Sequence, residues 1–111
     1  MAAELSVVIA GDFSSIIGSK AFNILTDETS EFSLKDAYQI ADMHEIYNCQ
    51  GECTDSTHKG EGQIDHNFLA GADITCSVWG VDKLTYGDLN RPPSDHFVVI
   101  SKIKIPAKKV E

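Results

Sequence analysis

Apolar and polar residues alternate most regularly from Ala72 to Leu84, A-D-I-T-C-S-V-W-G-V-D-K-L. Ile74, Cys76 and Val78 fall on one side and Thr75, Ser77 and Trp79 on the other. This period of two, rich in β-branched residues, predicts a half-buried strand central to the fold. Leu5 to Ala10 predicts a first strand, closed by the turn dipeptide Gly11-Asp12. Ala21 to Thr26 reads as a second strand, with Gly18-Ser19 as a break before it. His96 to Ile105 reads as the last. On it Phe97, Val99, Ser101, Ile103 and Ile105 share a face. Val98 and Ile100 make its upper half apolar on both faces, as in a central strand, whereas Lys102 and Lys104 give its lower half the character of an edge.

A different period runs through residues 34–47. Ser33 is a good N-cap, with Asp36 at the third helical position in the manner of a capping box. Leu34, Ala37, Tyr38 and Ala41, with Ile40, Met43, His44 and Tyr47 beside them, make a wide apolar arc. A helix over 34–47, packed on a sheet face, is the expectation. Residues 48–66 form a polar, glycine-containing loop with one aliphatic residue, Ile64. A loop of that length is functional, mobile, or a polar hairpin. The order lacks a repeating β-α-β alternation. It predicts an α+β fold, mainly antiparallel with one helix on a face; an all-β sandwich or small barrel is the alternative. Residues 1–106 form a single domain on this reading, and 107–111, after Pro106, a loose tail.

The 111 residues suffice for one such domain with an ordinary core, at 42% hydrophobic and 23% charged. The net charge of −8 is unevenly spread. Residues 1–95 hold 16 acidic against 5 basic side chains, and residues 96–111 hold 4 lysines against Glu111. A negative body repels a phosphate backbone and speeds encounter with a basic protein. The apolar run at Leu5–Ala10 is too short for a membrane span or a signal peptide. A cytoplasmic setting with reduced cysteines and no membrane association follows as the expectation.

Candidate chemistry is sparse. Cys49, Cys53, His58 and His66, with His44 nearby, offer thiolates and imidazoles suited to zinc. The gap from His58 to His66 exceeds the usual spacing of a second ligand pair, so no metal site or cofactor is assigned to them. Cys49 and Cys53 could instead close a small disulfide loop, which would add little stability. Asp55 to His66 fails as a calcium loop at Lys59 and His66. Neither a nucleophile-elbow nor a phosphate-loop motif occurs. Phe22 and Phe32 could stack on bases, which leaves a single-strand nucleic-acid-binding barrel as a further alternative.

By elimination, the leading expectation is a small acidic, non-enzymatic protein-interaction module: an inhibitor, an immunity-type protein or an antagonist of a basic partner. Its binding residues would be Asp27, Glu28 and Glu31 in one loop and Glu52, Asp55 and Glu61 in another. A homo-oligomer is compatible with this. The first alternative is a metal-binding protein or small metal-dependent enzyme built on residues 44–66.

Overall fold

The computed structural model describes residues 6–29, 33–51, 53–59, 62–71, 73–89 and 94–106. Eight elements follow in order: β1 (Val7–Asp12), α1 (Lys20–Leu25), β2 (Lys35–Asp36), α2 (Ala37–Ile40), β3 (Met43–Tyr47), β4 (Asp65–Ala70), β5 (Thr75–Asp82) and β6 (Val98–Lys104). They form two open three-stranded sheets, ordered β1-β4-β2 and β3-β5-β6. All pairings are antiparallel except β3 with β5. The α+β class with mainly antiparallel sheet is therefore what the chain adopts; a closed barrel is not.

The strand singled out by its alternation is the centre of the second sheet. Its phase changes midway. A register shift between Cys76 and Val78 is a bulge, and it moves Trp79 and Val81 onto the face that Ile74 and Cys76 occupy before it. All four are buried, and with Ala37 and Leu69 they form the core between the sheets. Asn67 Nδ2 also bridges the sheets, donating to Ser101 Oγ at 2.7 Å.

Two element types differ from expectation. Residues 21–26 are not a strand: Ser19 caps a helix there, its Oγ accepting from Phe22 N at 3.4 Å. The serine that looked like part of a break is a helix start. Phe22 is the one buried residue of α1, and it meets Phe68 at 5.8 Å. The helix expected over 34–47 is a single turn. Ala41 leaves the helical region at ψ 141°, and Met43–Tyr47 then pair in parallel with Met43 opposite Val78 and Tyr47 opposite Asp82. His44, Ile46 and Tyr47 are weaker helix formers, and pairing with the central strand outweighs a single turn whose N-cap residue, Asp36 rather than Ser33, makes no side-chain capping bond. Gly80 leaves room for the Tyr47 ring, which a side-chain carbon at that position would meet.

β6 is an edge strand throughout, with Val98 and Ile100 exposed, contrary to the expectation that its upper half is central. β1 is also an edge strand, and all six of its residues are exposed. The tail at 107–111 lies outside the described residues.

The loop from 48 to 64 has an internal anchor. Thr57 is fully buried, and its Oγ1 accepts from Ile64 N at 3.0 Å and Asp65 N at 3.1 Å. Lys83 Nζ donates to the Ser56 carbonyl at 2.5 Å and lies over the Phe97 ring at 3.9 Å. These contacts fix where β4 begins and carry His58 toward the start of β6.

Candidate functional site

Asp12 ends β1 and Asp65 begins β4, and the antiparallel register sets them directly opposite one another. Side chains of such a pair lie on one face of the sheet. Asp12 is held by a local turn in which Ser14 N donates to its Oδ1 at 2.8 Å, with Ser14 at φ 50°. A left-handed non-glycine residue costs about 1–2 kcal/mol, a strain often found where a functional side chain must be aimed.

His96 comes to this pair from the entry to β6. Its Nδ1 lies 2.9 Å from Asp65 Oδ2, and its Nε2 lies 3.6 Å from Asp12 Oδ2. The His96 backbone pairs with His58 in an isolated antiparallel bridge, and the two rings meet edge to face at 4.7 Å. His58 Nε2 lies 3.3 Å from Asp95 Oδ2, and Lys59 N donates to the Asp95 carbonyl at 2.8 Å. Two ligand groups result, Asp12–Asp65–His96 and His58–Asp95–His96. In each, one ligand atom per residue lies within 4.8 Å of the others. The first offers two carboxylates and an imidazole, the second one carboxylate and two imidazoles, and both donor sets suit a divalent cation.

The electrostatics follow from the contacts. The hydrogen bond to Asp65 raises the His96 imidazole above its ordinary value; partial burial opposes this, and the charges of Asp65, Asp12 and Asp95 add to it. His58 holds the Asp95 carboxyl below the usual range. A cavity of about 270 Å³ adjoins the cluster, lined by Gly11, Asp65, Asn67, Phe97 and Val99 among others.

The sequence-derived candidates go to different places. His58 joins the cluster. His66 is buried on β4 against Asp36. Cys49 and Cys53 pair with each other as a disulfide. His44 is stacked on Tyr38 at 4.0 Å, its Nε2 2.6 Å from the Tyr38 carbonyl. Asp27 closes its own turn, accepting from Thr29 N at 2.9 Å and Thr29 Oγ1 at 2.7 Å. Those bonds hold its carboxyl below the usual range. Glu28 is exposed beside it. Asp55 accepts from the Tyr38 hydroxyl at 2.5 Å and raises that phenol. Glu31, Glu52 and Glu61 lie outside the described residues.

Sequence reasoning missed Asp12, Asp65, Asp95 and His96. Gly11-Asp12 reads as an ordinary turn. The available signal was that Asp12, Asp65 and Asp95-His96 all sit where a strand meets a loop.

No family model and no curated protein matches the chain. Among the solved structures that share its fold, three match at similar levels. A mannosyl-6-phosphatase from Bacteroides thetaiotaomicron superimposes with a TM-score of 0.72 at 23% identity. An endonuclease/exonuclease/phosphatase from Bacteroides vulgatus gives 0.72 at 22%. An endonuclease/exonuclease/phosphatase family protein from Bacteroides thetaiotaomicron gives 0.71 at 23%. The matches cover 91%, 93% and 90% of this chain but 38%, 38% and 36% of theirs. The chain thus spans well under half the length of the structures it resembles. The fold is one that carries enzymes, and this corrects the expectation of a non-enzymatic interaction module. The comparisons back the metal-dependent alternative better than the interaction module; of its candidate residues, only His58 falls in one of the two ligand groups, and the cysteines fall in neither. Among the described residues no helix is long and apolar enough to cross a membrane.

Proposed function

We propose that the chain carries part of a site that hydrolyses phosphate esters with the help of a divalent cation. The observation that carries this reading is the convergence of Asp12 and Asp65, opposite one another on adjacent strands, upon His96. Charge gives it a physical reason. Three carboxylates line a site on a body of strongly negative charge, so a phosphate could approach only if a cation intervened. When bound, such a cation supplies charge stabilisation at a phosphoryl oxygen and makes a bound water more acidic.

The protein's own groups have distinct roles on this reading. Asp12 and Asp65 hold the cation, with His96 as the third ligand. Asp95 orients His58, which stands beside His96 as a proton donor or acceptor for the water or the leaving oxygen. The cavity beside Asp65 receives the organic part of the substrate. The negative body disfavours a long polyanion. A small ester such as a sugar phosphate therefore fits better than nucleic acid, in keeping with the mannosyl-6-phosphatase among the structural neighbours.

The test is release of phosphate from mannose 6-phosphate and from p-nitrophenyl phosphate, with magnesium or manganese and with chelator. Cation-dependent release, lost in Asp65→Asn, supports the reading. Release that is indifferent to chelator and to Asp65→Asn would count against it.

A further inference from the structure

Directly behind the candidate centre lies a second pair of ionisable groups that the proposed chemistry does not use. His66 and Asp36 each have side chains about 1% exposed, with Nδ1 of the ring 3.7 Å from Oδ1 of the carboxylate. The other ring nitrogen, Nε2, lies 2.6 Å from the carbonyl oxygen of Ser15. A carbonyl can only accept, so Nε2 carries the proton and donates. Phe22 and Phe68 enclose the ring, with centroids at 5.2 and 5.3 Å. Neither Asp36 oxygen has a hydrogen-bond partner among the described residues. A carboxylate so placed is costly to bury unless a cationic partner offsets it.

The placement ties this pair to the centre. Asp65 and His66 are neighbours on β4 and point to opposite faces. Asp65 faces Asp12, while His66 reaches the turn that follows Asp12 and grips it at Ser15. That same turn supplies Ser14 N to the Asp12 carboxylate. It is further pinned where Phe13 N donates to the Ile64 carbonyl at 2.9 Å. The chain of contacts runs Asp36, His66, Ser15, Ser14, Asp12, from the short strand β2 through β4 to the end of β1.

We propose that the buried Asp36–His66 pair is a positioning device, which fixes the Asp12 turn and thereby sets how tightly the centre holds a divalent cation. The inference rests on the cation-binding reading above. His66 touches neither cation nor substrate; it acts through the backbone of Ser15. Groups behind metal ligands commonly change metal affinity by about 10- to 100-fold when removed.

The test uses the whole chain and manganese as the probe. Manganese affinity is measured by titration on the parent protein, Asp65→Asn, Asp36→Asn, His66→Phe and His66→Gln, with circular dichroism and thermal melts of each. Hydrogen exchange of the Ser14 amide, measured without metal, reports the turn itself. His66→Phe keeps the ring's bulk and removes its donor; the expected results are roughly 10- to 100-fold weaker manganese binding and faster Ser14 exchange. His66→Gln keeps an N–H that can reach Ser15, and it should recover most of the lost affinity. Asp36→Asn should lie between parent and His66→Phe, and it decides the matter if His66→Phe does not fold. Native-like spectra with unchanged affinity and unchanged Ser14 exchange in the folded variants would overturn the inference, leaving the pair a purely structural one. If manganese binds the parent and is lost only in Asp65→Asn, this inference fails and the cation reading stands. If the parent binds no manganese, both fail.

Discussion

His58 and His96 form a two-residue antiparallel bridge that joins the long polar segment to the entry of β6 and stacks two imidazoles edge to face. The bridge is short, yet it fixes the geometry of both ligand groups, because Phe97 N donates to the Thr57 carbonyl at 2.9 Å on one side and Lys59 N to Asp95 on the other. The site therefore depends on how the segment before β4 is anchored.

Thr57 is that anchor, and its removal has a predictable cost. Thr57→Val keeps the shape and leaves the amides of Ile64 and Asp65 without their shared acceptor. Buried amides left unpaired cost about 1–3 kcal/mol. Urea melts should show a loss in that range, and hydrogen exchange should show the start of β4 opening before its middle.

The core makes a contrast within one chain. Trp79 is buried at the centre of β5, and Trp79→Ala should cost about 3–5 kcal/mol in denaturant melts. Val8 is 46% exposed on the edge strand β1, and Val8→Ala should change stability by no more than about 0.5 kcal/mol. Equal losses at the two positions would mean that β1 is covered in solution.

Trp79 also marks what could be read from the sequence. Its strand was legible because alternation records burial on one face, and the central place of β5 follows from that. The bulge between Cys76 and Val78 was not, since a single extra residue leaves no mark in a short pattern. Residues 34–47 carry a helix-like arc and strand-forming residue types together, and only pairing with β5 decides between them. The candidate centre was hardest to see. Asp12, Asp65 and His96 lie far apart in the chain, and register, not spacing, brings them together. Counting cysteines with histidines led away from the carboxylates.

His66 predicts how stability varies with pH. Burial alone would lower its imidazole, but the Asp36 carboxylate and the Ser15 carbonyl more than reverse that and raise it. A group whose proton is held more tightly when folded stabilises fully below the unfolded value of about 6.5. That contribution is lost as pH rises through the raised folded value. Urea melts at low and high pH should therefore show a loss toward high pH that is smaller in His66→Gln, where only the raised His96 still contributes. A parent and variant with parallel profiles would contradict the pairing.

His96 predicts the reverse trend for cation binding. Its hydrogen bond to Asp65 holds the imidazole proton more tightly than usual, and a cation must displace that proton. Manganese affinity should rise with pH, through a midpoint above that of an ordinary histidine. An affinity constant from pH 5.5 to 8.5 would mean that His96 is not a ligand.

Whether Asp12, Asp65 and His96 bind a cation together is measured directly by a manganese titration followed by electron paramagnetic resonance. The prediction is saturable binding of manganese by the parent, with Asp12→Asn, Asp65→Asn and His96→Gln each abolishing it while Cys49→Ser leaves it unchanged. Failure of the parent to bind manganese, or binding that survives all three site substitutions, would contradict it.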